Sequence, residues 1–193
     1  FAEQYRGKEK LLDANREALR IARDWASANL PHPIGLQVRR ADKVGDRIFV
    51  DGNAAAALGC VYGGATVCAW YPITPSSSLA EAFQSYCQKY RVDPETGKNR
   101  YAMIQAEDEI ASIGIVTGAG WNGARAFTTT SGPGISLMNE FIGLAYFAEI
   151  PVTIIDVQRG GPSTGMPTRT QQSDILPAAY ASHGDTKHVL LLP

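Results

Sequence analysis

From residue 46 onward, short apolar runs alternate with helix-patterned segments, and this rhythm restricts the fold more than any other feature of the chain. The runs are RIFV (47–50), TVCAWY (66–71), YAMIQA (101–106), ARAFTTT (124–130), PVTIIDV (151–157) and VLLL (189–192). Between them lie NAAAALGCVYGG, which Asp51 or Asn53 can cap, and SSSLAEAFQSYCQKY (76–90), with serine hydroxyls at its start. EDEIASIGIVTGAGW (107–121) opens on three carboxylates, which the helix dipole favours, and GPGISLMNEFIGLAYFAE (132–149) carries Pro133 in its first turn. Apolar strands alternating with helices indicate an α/β fold, with a parallel sheet flanked by helices on both faces. In such sheets ligands sit at the carboxyl ends of the strands, beside a switch in strand order. Four chemically suggestive segments follow strands: YPITPSS, AEDE, TSGPG and RGGPSTG. All are expected on one edge of the sheet.

Residues 1–45 follow a different pattern. Leu11, Ala14, Ala18, Ile21, Ala22 and Trp25 mark an amphipathic helix over 8–29, ended by LPHP. A polar linker follows. The division is therefore an N-terminal helix and linker (1–45) ahead of one domain (46–193). Phe1 in place of Met, and an end on HVLLLP, suggest a piece of a longer polypeptide.

The 19 acidic and 18 basic side chains leave a net charge of −1, which gives no case for nucleic acid or an anionic membrane surface. No apolar run approaches the roughly 18–20 residues that cross a bilayer. Cys60, Cys68 and Cys87 match neither a disulfide framework nor a metal spacing, so buried thiols and a cytoplasmic location are expected. His32, His183 and His188 form no catalytic pattern, and no metal cluster is expected in this chain.

The loops carry the chemistry. In YPITPSS, Pro72 and Pro75 stiffen the backbone around Ile73 and Thr74 and fix where the Thr74 hydroxyl sits. Glu107, Asp108 and Glu109 precede a helix whose apolar body (Ile110, Ile113, Ile115, Val116) reads as buried all round. A carboxylate drawn into such a core needs a partner. TTTSGPGIS lacks the lysine and the spaced glycines of the phosphate loops, so Gly132 and Gly134 serve either close helix–strand contact or a ligand. Arg159 ends an apolar strand and offers the fork that pairs with a carboxylate, with Ser163 and Thr164 adding hydroxyls and Arg169 a weaker candidate.

Together YPITPSS, AEDEIASIGIVTGA, TTTSGPGISLMNE and EIPVTIIDVQRGGPSTGMPTRTQQSD strongly resemble the α-chains of 2-oxoacid:ferredoxin oxidoreductases, in the 2-oxoglutarate branch. The likeness covers residues 46–193; residues 1–45 more loosely resemble the segment that follows a fused γ-domain. The resemblance implies the pyrimidine-binding (Pyr) domain of the thiamine diphosphate fold, with the cofactor shared with a partner β-subunit. That partner would carry the Mg²⁺ loop and a 4Fe-4S cluster, and no cofactor is expected on this piece alone. It implies that Glu109, with Glu107 as fallback, hydrogen-bonds N1′ of the aminopyrimidine. Pro72 and Ile73 would line the cofactor, and Thr74, Arg159 and Thr164 the 2-oxo acid. The implied reaction is oxidative decarboxylation, with coenzyme A taking the acyl group and ferredoxin the electrons, in a dimer of α–β units. The alternatives are a non-redox thiamine enzyme half and a non-catalytic scaffold of the same fold.

Overall fold

The computed structural model describes residues 5–31, 35–36, 38–161, 172–181 and 183–185. The chain divides into two units, Phe1–Ile48 and Phe49–Pro193, at a point inside the 47–50 run. The first unit contains α1 (Glu9–Asn29). Its first turn carries Glu9, and Arg20 bridges Glu17 and Asp24 along the exposed face.

The second unit is built in the order α2 (Gly52–Tyr62), β1 (Val67–Trp70), α3 (Ser77–Tyr90), β2 (Ala102–Gln105), α4 (Glu109–Trp121), β3 (Ala126–Thr130), α5 (Gly132–Phe147), β4 (Thr153–Asp156) and α6 (Ile175–Ala179). The four strands form one sheet in the order β2-β1-β3-β4, and every pair is parallel. The sheet is therefore the one expected from the alternation, with loops 71–76, 106–108, 131 and 157–161 leaving the same edge.

The two faces are covered by different helices. Cys68, Trp70 and Phe127 point to one side, where they pack with Ala57 and Val61 of α2 and Leu79, Phe83 and Cys87 of α3. Phe83 meets Phe127 edge to face, with ring centroids 4.8 Å apart. Ala69 and Ala126 point to the other side, against Val116 of α4. The small residues there let α4 lie close to the sheet, and at Gly120 an added Cβ would come within 2.8 Å of the Pro151 carbonyl. Connecting β2 to β3 requires passing β1, so α4 crosses over β1 and its N-terminus is carried toward α5.

Several expectations are corrected. RIFV (47–50) forms no strand; Ile48 and Phe49 are exposed, and no strand among the described residues lies beside them. A β-branched run needs a partner to become a strand, and this one has none there. Helix α4 is not buried all round, because Ile110 is 43% exposed and Trp121 68% exposed. It starts at Glu109 rather than residue 107, since Asp108 is the cap and its side chain accepts from the Ala111 N–H at 2.6 Å. Of the two candidate caps of α2, Asp51 takes the role, accepting from the Ala54 N–H at 2.8 Å. The serines ahead of α3 do not cap it by side chain; Ser76 and Ser77 bond to Ile73 instead. The strand expected at 189–192 lies outside the described residues.

The three cysteines are free thiols. Burial pushes Cys60 up to about 11 and Cys68 higher still, so they act as packing. No helix among the described residues is long and apolar enough to cross a membrane.

Candidate active site

The chain runs from β1 outward to β2, returns past β1 to β3, and continues to β4. Helix α3 leaves β1 toward one face of the sheet, while α4 and α5 cover the other. The loops after β1 and β3 therefore part company at a switch point, where open parallel sheets form their ligand crevice.

The loop after β1 is a tight turn. The Thr74–Pro75 peptide is cis, and the Ile73 carbonyl accepts from the Ser76 N–H at 2.8 Å and the Ser77 N–H at 3.1 Å. In return the Ile73 N–H donates to Ser77 Oγ at 3.1 Å. Asn53 of α2 braces the turn from behind, donating to the Pro75 carbonyl at 3.0 Å and to Ser78 Oγ at 2.7 Å. Pro72 and Thr74 are exposed and Ile73 is half-buried. The turn thus presents the Thr74 side chain outward and its carbonyl inward.

That carbonyl ties the loops together. Arg159 donates from its guanidinium to the Thr74 carbonyl at 3.0 Å, and Ser131 Oγ, at the start of α5, lies 3.5 Å from the same oxygen. Arg159 is only 5% exposed. Its backbone N–H donates to Asp174 Oδ2 at 2.9 Å, so both its main chain and its side chain are held. The structure brings Thr74, Ser131 and Arg159 together at this carbonyl.

Glu109 reaches the same region from the other side. As the first residue of α4 it is 8% exposed, whereas Glu107 is exposed. The Asp108 cap separates them: it fixes the first turn so that Glu109 points inward and Glu107 outward. Gly134 packs against Glu109. A Cβ at Gly134 would stand 3.0 Å from Glu109 Cγ and 1.9 Å from Thr130 Oγ1. Among the described residues no hydrogen-bond donor or cation reaches the Glu109 carboxylate. A buried carboxylate without a protein partner suits a ligand that brings a donor of its own. The residues present therefore fit a protonated heterocyclic nitrogen at this point.

Both glycines of TSGPG serve close contact. At Gly132 a Cβ would come within 2.6 Å of the Arg159 carbonyl and 2.9 Å of the Asp174 carboxyl carbon. Two acids went unmarked in the sequence reading. Asp174 is 3% exposed and heads α6, which was also not expected. Asp156, the last residue of β4, is pushed up to about 7 by burial first and then by the nearby Asp174 carboxylate. The signal was an acid at the end of an apolar strand, three residues before the arginine. Thr164, Ser163 and Arg169 lie outside the described residues, as do His32 and His188. No group of His, Cys, Asp or Glu among the described residues could hold a metal ion.

Comparison with known proteins decides the family. A profile described as "Pyruvate flavodoxin/ferredoxin oxidoreductase, thiamine diP-bdg" matches residues 58–193. The chain belongs to this thiamine diphosphate-binding family. It is 44% identical to the α-subunit of 2-oxoacid:ferredoxin oxidoreductase 2 of Aeropyrum pernix, over 97% of this chain and 30% of that protein. It is 48% identical to the 2-oxoglutarate synthase subunit KorA of Methanocaldococcus jannaschii, over 75% of this chain and 37% of that protein. A solved 2-oxoglutarate:ferredoxin oxidoreductase from Magnetococcus marinus, with 2-oxoglutarate, coenzyme A and succinyl-CoA bound, superposes with a TM-score of 0.70. It shares 38% identity and covers 96% of this chain, which in turn covers 31% of it. The fold is thus the thiamine diphosphate-binding one, as the sequence resemblance implied. The chain spans about a third of the length of these relatives.

Proposed function

We propose that this chain supplies the pyrimidine-binding part of the α-subunit of a 2-oxoacid:ferredoxin oxidoreductase. The reaction would be coenzyme A-dependent oxidative decarboxylation of a 2-oxo acid, with 2-oxoglutarate favoured, giving acyl-CoA and passing electrons to ferredoxin. The observation that carries this reading is the buried Glu109 carboxylate beside Gly134, which has no donor or cation among the described residues. The names of the similar 2-oxoglutarate synthase subunits favour the substrate.

When bound, thiamine diphosphate supplies a nucleophilic carbon and an electron sink. Glu109 is the residue that would accept the hydrogen bond of its aminopyrimidine N1′, with Pro72 and Ile73 against the ring. Arg159 would pair with the substrate carboxylate, held in place by the Thr74 carbonyl and by Asp174. Thr74 offers its hydroxyl to the 2-oxo end, and Thr164 belongs to the same pocket in this reading. A partner β-subunit would bring Mg²⁺ and a 4Fe-4S cluster, in a cytoplasmic dimer of α–β units.

The test is viologen reduction by the complete complex with coenzyme A and a panel of 2-oxo acids. Reduction with 2-oxoglutarate, lost in Glu109→Gln, is the expected result. No reduction with any acid, in a complex that contains thiamine diphosphate and iron, would favour a non-redox thiamine enzyme or a scaffold.

A further inference from the structure

Helix α2 carries a polar side chain to which the reading above gives no part in the chemistry. Asn53, Ala57 and Val61 recur every fourth residue, so they share one face of α2. Ala57 and Val61 are buried in one cluster with Leu79, Phe83 and Cys87 of α3. Asn53 is the polar head of that face, where the turn after β1 enters α3. Asp51 caps α2 through the Ala54 N–H, which leaves the Asn53 amide for another task.

The amide Nδ2 has two hydrogens and an acceptor for each. One is the Pro75 carbonyl at 3.0 Å, the other Ser78 Oγ at 2.7 Å. Ser78 Oγ lies 3.4 Å from the same carbonyl, so α2, the turn and the first turn of α3 meet in one small ring of polar contacts. Pro75 has no N–H, and its carbonyl is the backbone group by which α2 can grip it. The bonds of Ile73 to Ser76 and Ser77 fix the shape of the turn, but not where it stands relative to α2.

The carbonyl one residue earlier has the complementary role. The Thr74 carbonyl accepts from the Arg159 guanidinium at 3.0 Å, with Ser131 Oγ 3.5 Å away. Two consecutive carbonyls thus flank the Pro75 ring: α2 holds one, and the other holds Arg159. The peptide plane and the proline ring fix two of the three torsions between them, so a shift of one carbonyl is passed to the other.

We propose that Asn53 is a positioning residue for the ligand's carboxylate: it fixes the Thr74–Pro75 turn on α2 and so sets the carbonyl that aims Arg159. The inference rests on Arg159 being the arm that meets the 2-oxo acid. Without the Asn53 amide the turn loses this attachment to α2, the Thr74 carbonyl shifts, and Arg159 is aimed correctly for only part of the time. An arm that is competent for a fraction of the time weakens apparent binding by that fraction. The loss falls on substrate binding and therefore on KM.

The test measures KM for the 2-oxo acid, and kcat per bound thiamine diphosphate, by viologen reduction in the complete complex. Asn53→Ala should raise KM about three- to tenfold, in line with the loss of one or two neutral hydrogen bonds, with kcat little changed. Asn53→Asp keeps the size but not the donor, and should raise KM at least as much at neutral pH. A normal KM in either variant overturns the proposal. Asp51→Ala weakens the same helix through its cap and should leave KM unchanged; a rise equal to that of Asn53→Ala would make the effect one of α2 stability and overturn it too. Arg159→Ala separates the levels. In that background Asn53→Ala should add less than about twofold, because the arm it aims is gone. A full, multiplied effect in the double variant overturns the proposal and leaves Arg159 in place. An unchanged KM in Arg159→Ala alone removes Arg159 from the site, and the role of Asn53 with it.

Discussion

Glu109→Gln should make the cofactor-free complex more stable while abolishing its turnover. The side chain is 8% exposed, and no donor or cation among the described residues compensates its charge. A buried polar group left without a partner costs about 1–3 kcal/mol, and a charged one more. Glutamine has the same shape and fits the same space between α4 and Gly134, but it carries no charge to bury. Glutamine still buries an unpaired amide, so the expected gain is only the excess that the charge adds, about 1 kcal/mol, read as a higher urea midpoint or a thermal midpoint raised by a few degrees. Adding thiamine diphosphate should reverse the order. A ligand stabilises only the state that binds it, in proportion to its affinity, and the variant offers N1′ no carboxylate. The assay is unfolding of both complexes with and without cofactor, beside viologen reduction. A Glu109→Gln complex less stable without cofactor would mean that the carboxylate has a protein partner of its own. Retained turnover would mean that it does not touch the cofactor. Either result refutes the reasoning.

The other predictions test single contacts. Gly134→Ala places a Cβ 1.9 Å from Thr130 Oγ1, which is fully buried on a central strand; overpacking should cost about 1–3 kcal/mol in urea unfolding and weaken thiamine diphosphate binding by calorimetry. Unchanged values for both would show that Thr130 and Glu109 can move aside. Arg159→Ala should raise KM for the 2-oxo acid by about tenfold or more, because a charge-assisted pair is worth about 1.5–3 kcal/mol, with a smaller change in kcat. Asp51→Ala should lower stability by about 1 kcal/mol through loss of the α2 cap and leave viologen reduction unaltered.

Local rules made much of the second unit legible. Strands β1 to β4 follow apolar runs, and Asp51 and Pro133 mark helix starts by their own chemistry. Contacts between distant segments were not legible. RIFV has the composition of a strand, yet a strand exists only where another offers its backbone. Helix α6 is five residues long and contains a proline, so no periodicity could reveal it; its head is an aspartate held by the backbone of Arg159. The serines before α3 have the composition of a cap, but the turn around the cis Thr74–Pro75 peptide brings Ile73 within their reach. Asp156 reads as one polar residue in an apolar run until Asp174 is placed beside it.

The choice between Glu107 and Glu109 shows what topology adds to a motif. As charges two residues apart they are equivalent, and both favour a helix N-terminus. The sheet order separates them. Because β3 lies beyond β1 from β2, α4 must cross β1, and its first turn arrives over the loop that starts α5. Once Asp108 caps that turn, the next residue faces Gly134, and the residue before it faces solvent. The same crossing brings the loop after β2 beside the loop after β3, while Arg159 and Thr74 bond across that loop from β4 and β1. Glu109 and Arg159 thus reach the head of α5 from opposite sides, through contacts at Gly134 and Gly132. A carboxylate and a guanidinium separated by one helix start are suited to holding the two ends of a ligand pair, a basic ring on one side and an acid on the other.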